Sequence, residues 1–348
     1  MAKNEDMARR KFLAGLGATA AAAASLFPGH AMNGSLRLSR PMDDFLSDPQ
    51  NAGRAQPIHS PFRVAVINDE VSEDFDRACD VASREFGMQW IELRGLWNKN
   101  ILNLDANEVA EARRILQKFN LRVTDIASPL FKTDWKGAPL SKFRGHGSFH
   151  ADFSFEQQDE VLERSIELAK IFQTDRVRCF DFWRLDDPAP HRAAINEKLL
   201  RAANEAGKKG ITLLLENDVG VNTATGAEAA KVLAAVKSPY LMMNWDPGNA
   251  AASGERPFPD GYDLLPKDRI GHCHCKDAVK QSNRNDYDWV PMGAGVVDWL
   301  GQFTALKRDG YHFAVSLETH WAGGGTPEKS SRQSWAGMSQ LLQKAGAL

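Results

Sequence analysis

Disulfide cross-links are scarce by composition: 348 residues carry four cysteines, Cys79, Cys179, Cys273 and Cys275. Four is too few to staple a chain of this length, so a disulfide scaffold is excluded. Surplus charge is also missing. Lys and Arg number 43 against 45 Asp and Glu, a net of −2, which gives no electrostatic basis for holding nucleic acid or an anionic membrane. No glycine fingerprint follows the first apolar run, Arg63–Ile67, which leads instead into Asn68-Asp69-Glu70. A dinucleotide-binding doubly wound sheet would need those glycines there. What is present is an ordinary globular balance, 43% hydrophobic and 25% charged, enough for a sizeable core in one large domain or two smaller ones.

The N-terminus reads as an address. Arg9-Arg10 precede Lys11-Phe12-Leu13, then an alanine-rich apolar run spans Ala14–Phe27, with small residues at Gly29 and Ala31. This resembles a twin-arginine export signal over residues 1–31. The run falls short of the ~20 apolar residues that a spanning helix requires. The expected location is periplasmic or otherwise exported, with no stable membrane insertion once the signal is cleaved; a retained anchor is the alternative. Residues 32–60, rich in Ser, Pro, Asp, Asn and Gly without a hydrophobic period, read as a linker or a loosely wrapped arm.

From residue 61 onward, short apolar runs alternate with longer amphipathic ones. Strands are expected at Arg63–Ile67, Trp90–Leu93, Arg122–Ala127, Arg176–Phe180, Ile211–Leu215, Leu241–Trp245, Ile270–Cys275 and Phe313–Leu317. Helices are expected at Glu73–Phe86, Ala106–Phe119, Phe155–Ile171, Ala189–Lys209, Gly226–Lys237 and Trp299–Arg308. Alternating strand and helix implies a parallel sheet. Eight such units over residues 61–348 predict an α/β fold, a single-domain (β/α)8 TIM barrel.

In such a barrel the chemistry gathers where strands end. The last four strands end on Glu216-Asn217-Asp218, Asp246-Pro247-Gly248-Asn249, His274-Cys275-Lys276-Asp277 and Glu318-Thr319-His320. A carboxylate closing an apolar strand is costly to bury unless paired or metal-bound. Glu216, Asp246, His274 and Glu318 together predict one divalent metal: Mn2+ first, with Co2+, Mg2+ or Zn2+ as alternatives. His272 and His274 share a face by strand alternation. His274 lies nearer the strand end and is taken as the ligand, with His272 a layer deeper. Cys273 and Cys275 face the other way and read as small buried hydrophobes rather than zinc ligands.

These motifs resemble the xylose isomerase-like TIM-barrel superfamily, the sugar phosphate isomerase/epimerase group. The specific pieces are Asp246-Pro-Gly-Asn249, His274-Cys-Lys-Asp277, Gly293-Ala-Gly295-Val-Val-Asp298-Trp299 and Glu318. The first half adds Asp69-Glu70, Glu92-Leu-Arg94, Phe131-Lys132 and Phe182-Trp183-Arg184. The resemblance implies that the same four ligands hold the metal and that Glu216 and Glu318 move protons. It also implies a sugar or keto-sugar substrate and leaves a homo-oligomer open, since relatives often pair. One departure concerns Asn249, which stands where many ketose epimerases carry a histidine.

Lys276, Asn249, Arg94, Lys132 and Arg184 are candidate substrate contacts; the rival reading for Lys276 is a barrel-rim ion pair with Asp277 or Glu318, and for Arg94, Lys132 and Arg184 a solvated position or a supporting one behind the site. Trp97, Trp183, Trp289 and Trp321 fall near loops, as sugar-facing walls or simple packing. Gly323-Gly324-Gly325 reads as a flexible loop, because no helix is expected to begin on it. The expected activity is a metal-dependent sugar isomerase or epimerase working through an enediolate. A keto-sugar or inosose lyase or dehydratase would use the same groups, and an exported non-catalytic sugar-binding protein is the reading from another class. A multi-metal nuclease would need further histidines such as His146, His150, His191 and His320, whose spacing does not suggest a cluster.

Overall fold

A computed structural model describes residues 55–145, 152–280 and 287–348. The signal-like segment 1–31 and His146 and His150 lie outside the described residues, as does most of the arm. Its last residues, 55–60, are described, and they are tied to the barrel. Ala55 N–H donates to Arg84 O at 2.7 Å and Ile58 N–H to Gly87 O at 3.0 Å.

Eight strands form one sheet: β1 Arg63–Val66, β2 Trp90–Leu93, β3 Arg122–Leu130, β4 Arg176–Cys179, β5 Thr212–Glu216, β6 Leu241–Trp245, β7 Ile270–Cys275 and β8 Ala314–Leu317. Neighbours are parallel throughout, in the order β1-β8-β7-β6-β5-β4-β3-β2. The ring closes between β1 and β2 through a parallel bridge from Ile67 to Glu92. The Asn68 amide carries the seam further, donating to Gly95 O and accepting Arg94 N–H at 2.9 Å. The sequence thus folds as a nearly closed, single-domain (β/α)8 barrel. Its strands are buried on both faces, which is why they read as apolar runs rather than as alternating ones.

The helices are α1 Phe75–Asp80, continued by a π-helical turn Val81–Glu85, α2 Ala106–Phe119, α3 Gln158–Ile171, α4 Arg192–Lys208, α5 Gly226–Ala235, α6 Pro247–Ala252, α7 Trp299–Arg308 and α8 Pro327–Lys344. Local chemistry sets their ends. Asp105 and Glu108 form a capping box that starts α2, a device worth about 1 kcal/mol. Asn120, at φ 53°, ends it in the left-handed conformation.

Helix α8 corrects the reading of the glycine run. Thr326 caps it and Pro327 opens it, so an 18-residue helix follows Gly325 almost directly. No apolar period announces it, because three of its buried positions are serines: Ser330, Ser331 and Ser334 lie inside along with Met338 and Leu342. Close approach explains the small residues, since a Cβ on Gly337 would lie 1.9 Å from Met292 O. The N-terminal floor of the barrel is plugged by stacked cations and rings, Arg122 3.9 Å over Trp90 and Arg176 4.1 Å over Phe313. The other end carries the polar residues.

Candidate metal centre and active site

Strand alternation turns Glu216 (β5) and His272, His274 and Lys276 (β7 and just beyond) toward the barrel axis. Asp246 and Glu318 come one residue after β6 and β8. All are buried. The ligand atoms of Glu216, Asp246, His274 and Glu318 lie within 4.8 Å of one another. His274 Nδ1 is 3.2 Å from Glu216 Oε1, 3.2 Å from Glu318 Oε2 and 3.9 Å from Asp246 Oδ2. One imidazole N–H cannot serve three carboxylates at once. A divalent cation would satisfy all four groups, and three carboxylates with one imidazole suit Mn2+, Mg2+, Co2+ or Zn2+. The residues therefore fit the ion that their pattern predicts.

The far side of His274 is held as a ligand should be. Its Nε2 sits 3.0 Å from Glu92 Oε1 and 3.2 Å from Asn244 Nδ2. Glu92 Oε2 meets His272 Nε2 at 3.1 Å, and His272 Nδ1 faces Asp125 Oδ1 at 3.5 Å. His272 is thus the deeper member of the pair, as expected. Asp246 is fixed from both directions. Its Oδ1 accepts Asn249 N–H at 2.8 Å and caps α6, while the Asn217 side chain grips its backbone N–H at 2.9 Å and its carbonyl at 2.8 Å.

Burial and crowding perturb these groups. Burial raises the Asp246 carboxyl to about 6; Lys276 opposes, and Glu318 and Glu216 add to the rise. Burial also acts against Glu318, yet Lys276, His320 and His274 outweigh it and hold that carboxyl well below its usual range. Desolvation would lower His274, but Glu92, Glu318 and Glu216 drive it well above an ordinary histidine. The metal-free centre therefore keeps a proton that a metal would displace.

The structure brings most of the sequence candidates to the centre, in specific roles. Lys276 Nζ reaches Asp246 Oδ2 at 2.8 Å and Glu318 Oε2 at 2.5 Å. Arg94 pairs with Asp69, with Glu70 at 2.7 Å and with Glu318 Oε1 at 3.1 Å, so it holds Glu318. Asn249 donates to Asp246 Oδ2 at 2.8 Å and to Asn217 O at 2.9 Å, which commits its amide to the aspartate. Lys132 pairs with Asp218 at 2.9 Å. Arg184 turns away to Glu228 in the first turn of α5, at 2.8 Å.

Two walls flank the centre. A hairpin of Asp277–Lys280 and Tyr287–Val290 carries Trp289, whose ring lies 5.0 Å from Lys276 Nζ and edge-on to His320 at 5.6 Å. The Asp277 carboxylate accepts the N–H groups of Ala278, Gly293, Gly295 and Val297, which accounts for the glycines of that motif. Opposite stand Phe180 and Trp183 with Lys132. Trp97 packs edge-on against Phe75 instead.

Three contributors were not assigned from sequence. Arg178, inside β4, places Nη1 3.1 Å from Glu216 Oε2; an arginine within a buried strand was the available signal. Glu92 stands out in the sequence only as part of Glu92-Leu-Arg94. Glu70 accepts the backbone N–H of His320 at 2.9 Å and faces its Nδ1 at 3.1 Å, a link between the first and last strand ends that no local pattern reveals.

Comparison with known proteins agrees with this architecture. Residues 81–341 match the family described as Xylose isomerase-like TIM barrel. The chain belongs to that family. Inosose dehydratases of Bacillus thuringiensis and Bacillus cereus are each 26% identical over 229 residues, 59% of this chain and 73% of theirs. Among solved structures, the probable 3-DHS dehydratase AsbF of Bacillus anthracis superposes with TM-score 0.61 at 21% identity, covering 80% of this chain and 98% of that one. A D-allulose 3-epimerase from Methylomonas sp., solved with D-allulose, gives 0.59 at 18% identity over 83% and 99% of the two chains. The IOLI protein, solved with a zinc atom, gives 0.64 at 14% identity over 82% and 100%. This xylose isomerase-like barrel thus shares its fold with dehydratases, an epimerase and a metal-binding protein. Among its described residues no helix is long and apolar enough to cross a membrane.

Proposed function

We propose that this protein is a divalent-metal-dependent enzyme that removes a proton beside the carbonyl of a sugar or keto-sugar and returns it, as an isomerase or epimerase. The observation that carries the reading is the convergence of Glu216 and Glu318, from β5 and β8, on one His274 nitrogen at 3.2 Å each. An ion held by Glu216, Asp246, His274 and Glu318 would act as a Lewis acid on the carbonyl and an adjacent hydroxyl. The carboxylates approach the pocket from different strands. In an epimerisation one carboxylate takes the proton from one face and the other, carrying a proton of its own from solvent, delivers that one to the opposite face; in an isomerisation the carboxylate that took the proton returns it to the neighbouring carbon. Lys276, held between Asp246 and Glu318, places positive charge where the enediolate oxygens develop negative charge. Arg94 and Arg178 aim Glu318 and Glu216, at 3.1 Å each. Export by the twin-arginine route, Mn2+ as the metal and pairing of chains remain part of this proposal.

The relatives named dehydratases favour a second reading. There the same abstraction is followed by departure of a β-hydroxyl, which leaves as water after accepting a proton from an acid. One experiment separates the readings. The Mn2+-loaded protein is incubated in D2O with free and oxidised sugars and followed by NMR. Deuterium entering carbons beside the carbonyl, dependent on metal and lost in Glu216→Gln, supports carbanion chemistry; a rearranged sugar then marks an isomerase or epimerase, and an unsaturated product marks a dehydratase. No exchange across the pool, with metal bound, refutes both.

A further inference from the structure

Four basic side chains line the polar end of the barrel among the described residues, and each is bonded to carboxylates of the chain. Arg94 meets Asp69, Glu70 and Glu318. Lys276 meets Asp246 and Glu318. Arg178 meets Glu216, and Lys132 meets Asp218. The six distinct carboxylates in these pairs exceed the four cations by two.

Resting on the function proposed above, we propose that the site takes an uncharged polyhydroxy carbonyl compound, and that Asp218, by holding Lys132, turns away phosphorylated and carboxylated sugars. Asp218 lies two residues beyond the ligand Glu216, and the Lys132–Asp218 pair stands on the wall made by Phe180 and Trp183. The ammonium sits 4.5 Å from the Phe180 ring centre and 5.6 Å from that of Trp183. Asp218 cannot swing aside freely, because Oδ1 accepts Gly220 N–H at 2.7 Å and its own N–H is bound to Thr223 O at 3.0 Å. Both side chains are largely shielded, at 5% and 16% exposure.

A phosphate or carboxylate entering there either brings its negative charge against the Asp218 carboxylate, which already balances Lys132, or draws Lys132 away from it. The first sets like charges side by side and the second leaves a largely shielded carboxylate without its cation, and both are unfavourable. A sugar hydroxyl faces no such cost. It donates to the carboxylate and accepts from the ammonium while the pair stays intact, and the ring's C–H face lies on the aromatic wall. Discrimination comes from an unpaired charge built against the wrong ligand, not from a tighter contact with the right one.

The test uses the full chain loaded with Mn2+ and isothermal titration with D-allulose and D-allulose 6-phosphate. The wild type is expected to bind the neutral ketose at least about tenfold more tightly. Asp218→Asn keeps an oxygen for Gly220 but releases Lys132. It is expected to shift the ratio at least about tenfold toward the phosphate, and adding Lys132→Met should cancel the shift. Tighter or equal binding of the phosphate by the wild type overturns the inference and leaves the carbonyl chemistry standing, whether or not the variant folds. An unchanged ratio in a folded Asp218→Asn variant overturns it equally. Failure of both sugars to bind the metallated protein overturns it together with the function on which it rests.

Discussion

Glu92 illustrates how a single buried side chain sets the chemistry of its neighbours. Its two oxygens take up Nε2 of His274 and Nε2 of His272, which leaves His274 Nδ1 to face the carboxylates. Glu92→Gln replaces one acceptor with a donor and removes the charge that favours this tautomer. Metal affinity is expected to fall about 10–100-fold; isothermal titration with Mn2+ reads it, and unchanged affinity contradicts the assigned role. Asp246 gives a pH signature. Burial raises it from 3.8 to about 6, so in the metal-free protein its ionisation costs stability. That cost is absent below about pH 4 and fully present above about pH 6. Metal binding relieves it, and protons compete with the ion for Asp246 and for the elevated His274. The gain in melting temperature on adding Mn2+ is therefore expected to grow from about pH 5 to about pH 7. A flat or falling gain would exclude Asp246 as a ligand.

Elements differ in how plainly the sequence announces them. The strands were legible nearly to the residue, because a strand buried on both faces must be a short apolar run. Leu241–Trp245 and Ile270–Cys275 are found as read, while β3 runs further than expected, to Leu130, and β5 one residue further, to Glu216. The four residues that converge on the candidate metal centre were legible for the same reason: a charge that ends such a run needs a partner. Helices α6 and α8 were not. One is six residues long, and the other buries serines where leucines would give a period. The partners of the ligands were hidden more deeply, since Arg178 and Glu216 or Glu70 and His320 meet only once the ring has formed. The hairpin bearing Trp289 depends on the Gly293–Gly295 turn, where a Cβ on Gly295 would lie 2.1 Å from Asp277 Oδ1 and 2.4 Å from Ala278 O. Gly295→Ala is expected to displace the hairpin and to cut turnover by on the order of 100-fold while leaving Mn2+ affinity near wild type. Equal losses of both would mean that the loop supports the centre itself rather than the substrate wall.

At the scale of the whole molecule, the barrel is a ring with one weak seam. Between β1 and β2 the ladder is reduced to the Ile67–Glu92 bridge and the Asn68 amide. Asn68→Ala removes two buried hydrogen bonds and is expected to cost about 2–4 kcal/mol, with urea unfolding as the measure. Faster amide exchange should be confined at first to β1 and β2; uniform acceleration would mean that the seam is no weaker than the other strand pairs. The seam residue Glu92 is also the residue beneath His274, so its backbone closes the ring while its carboxylate aims a ligand. A circularly permuted chain with its new ends between β1 and β2 would keep the four ligand-bearing strands as one unbroken run. Its hold on the metal would then report how well the cut edges find each other, which makes ion affinity a gauge of whether the circle has been completed.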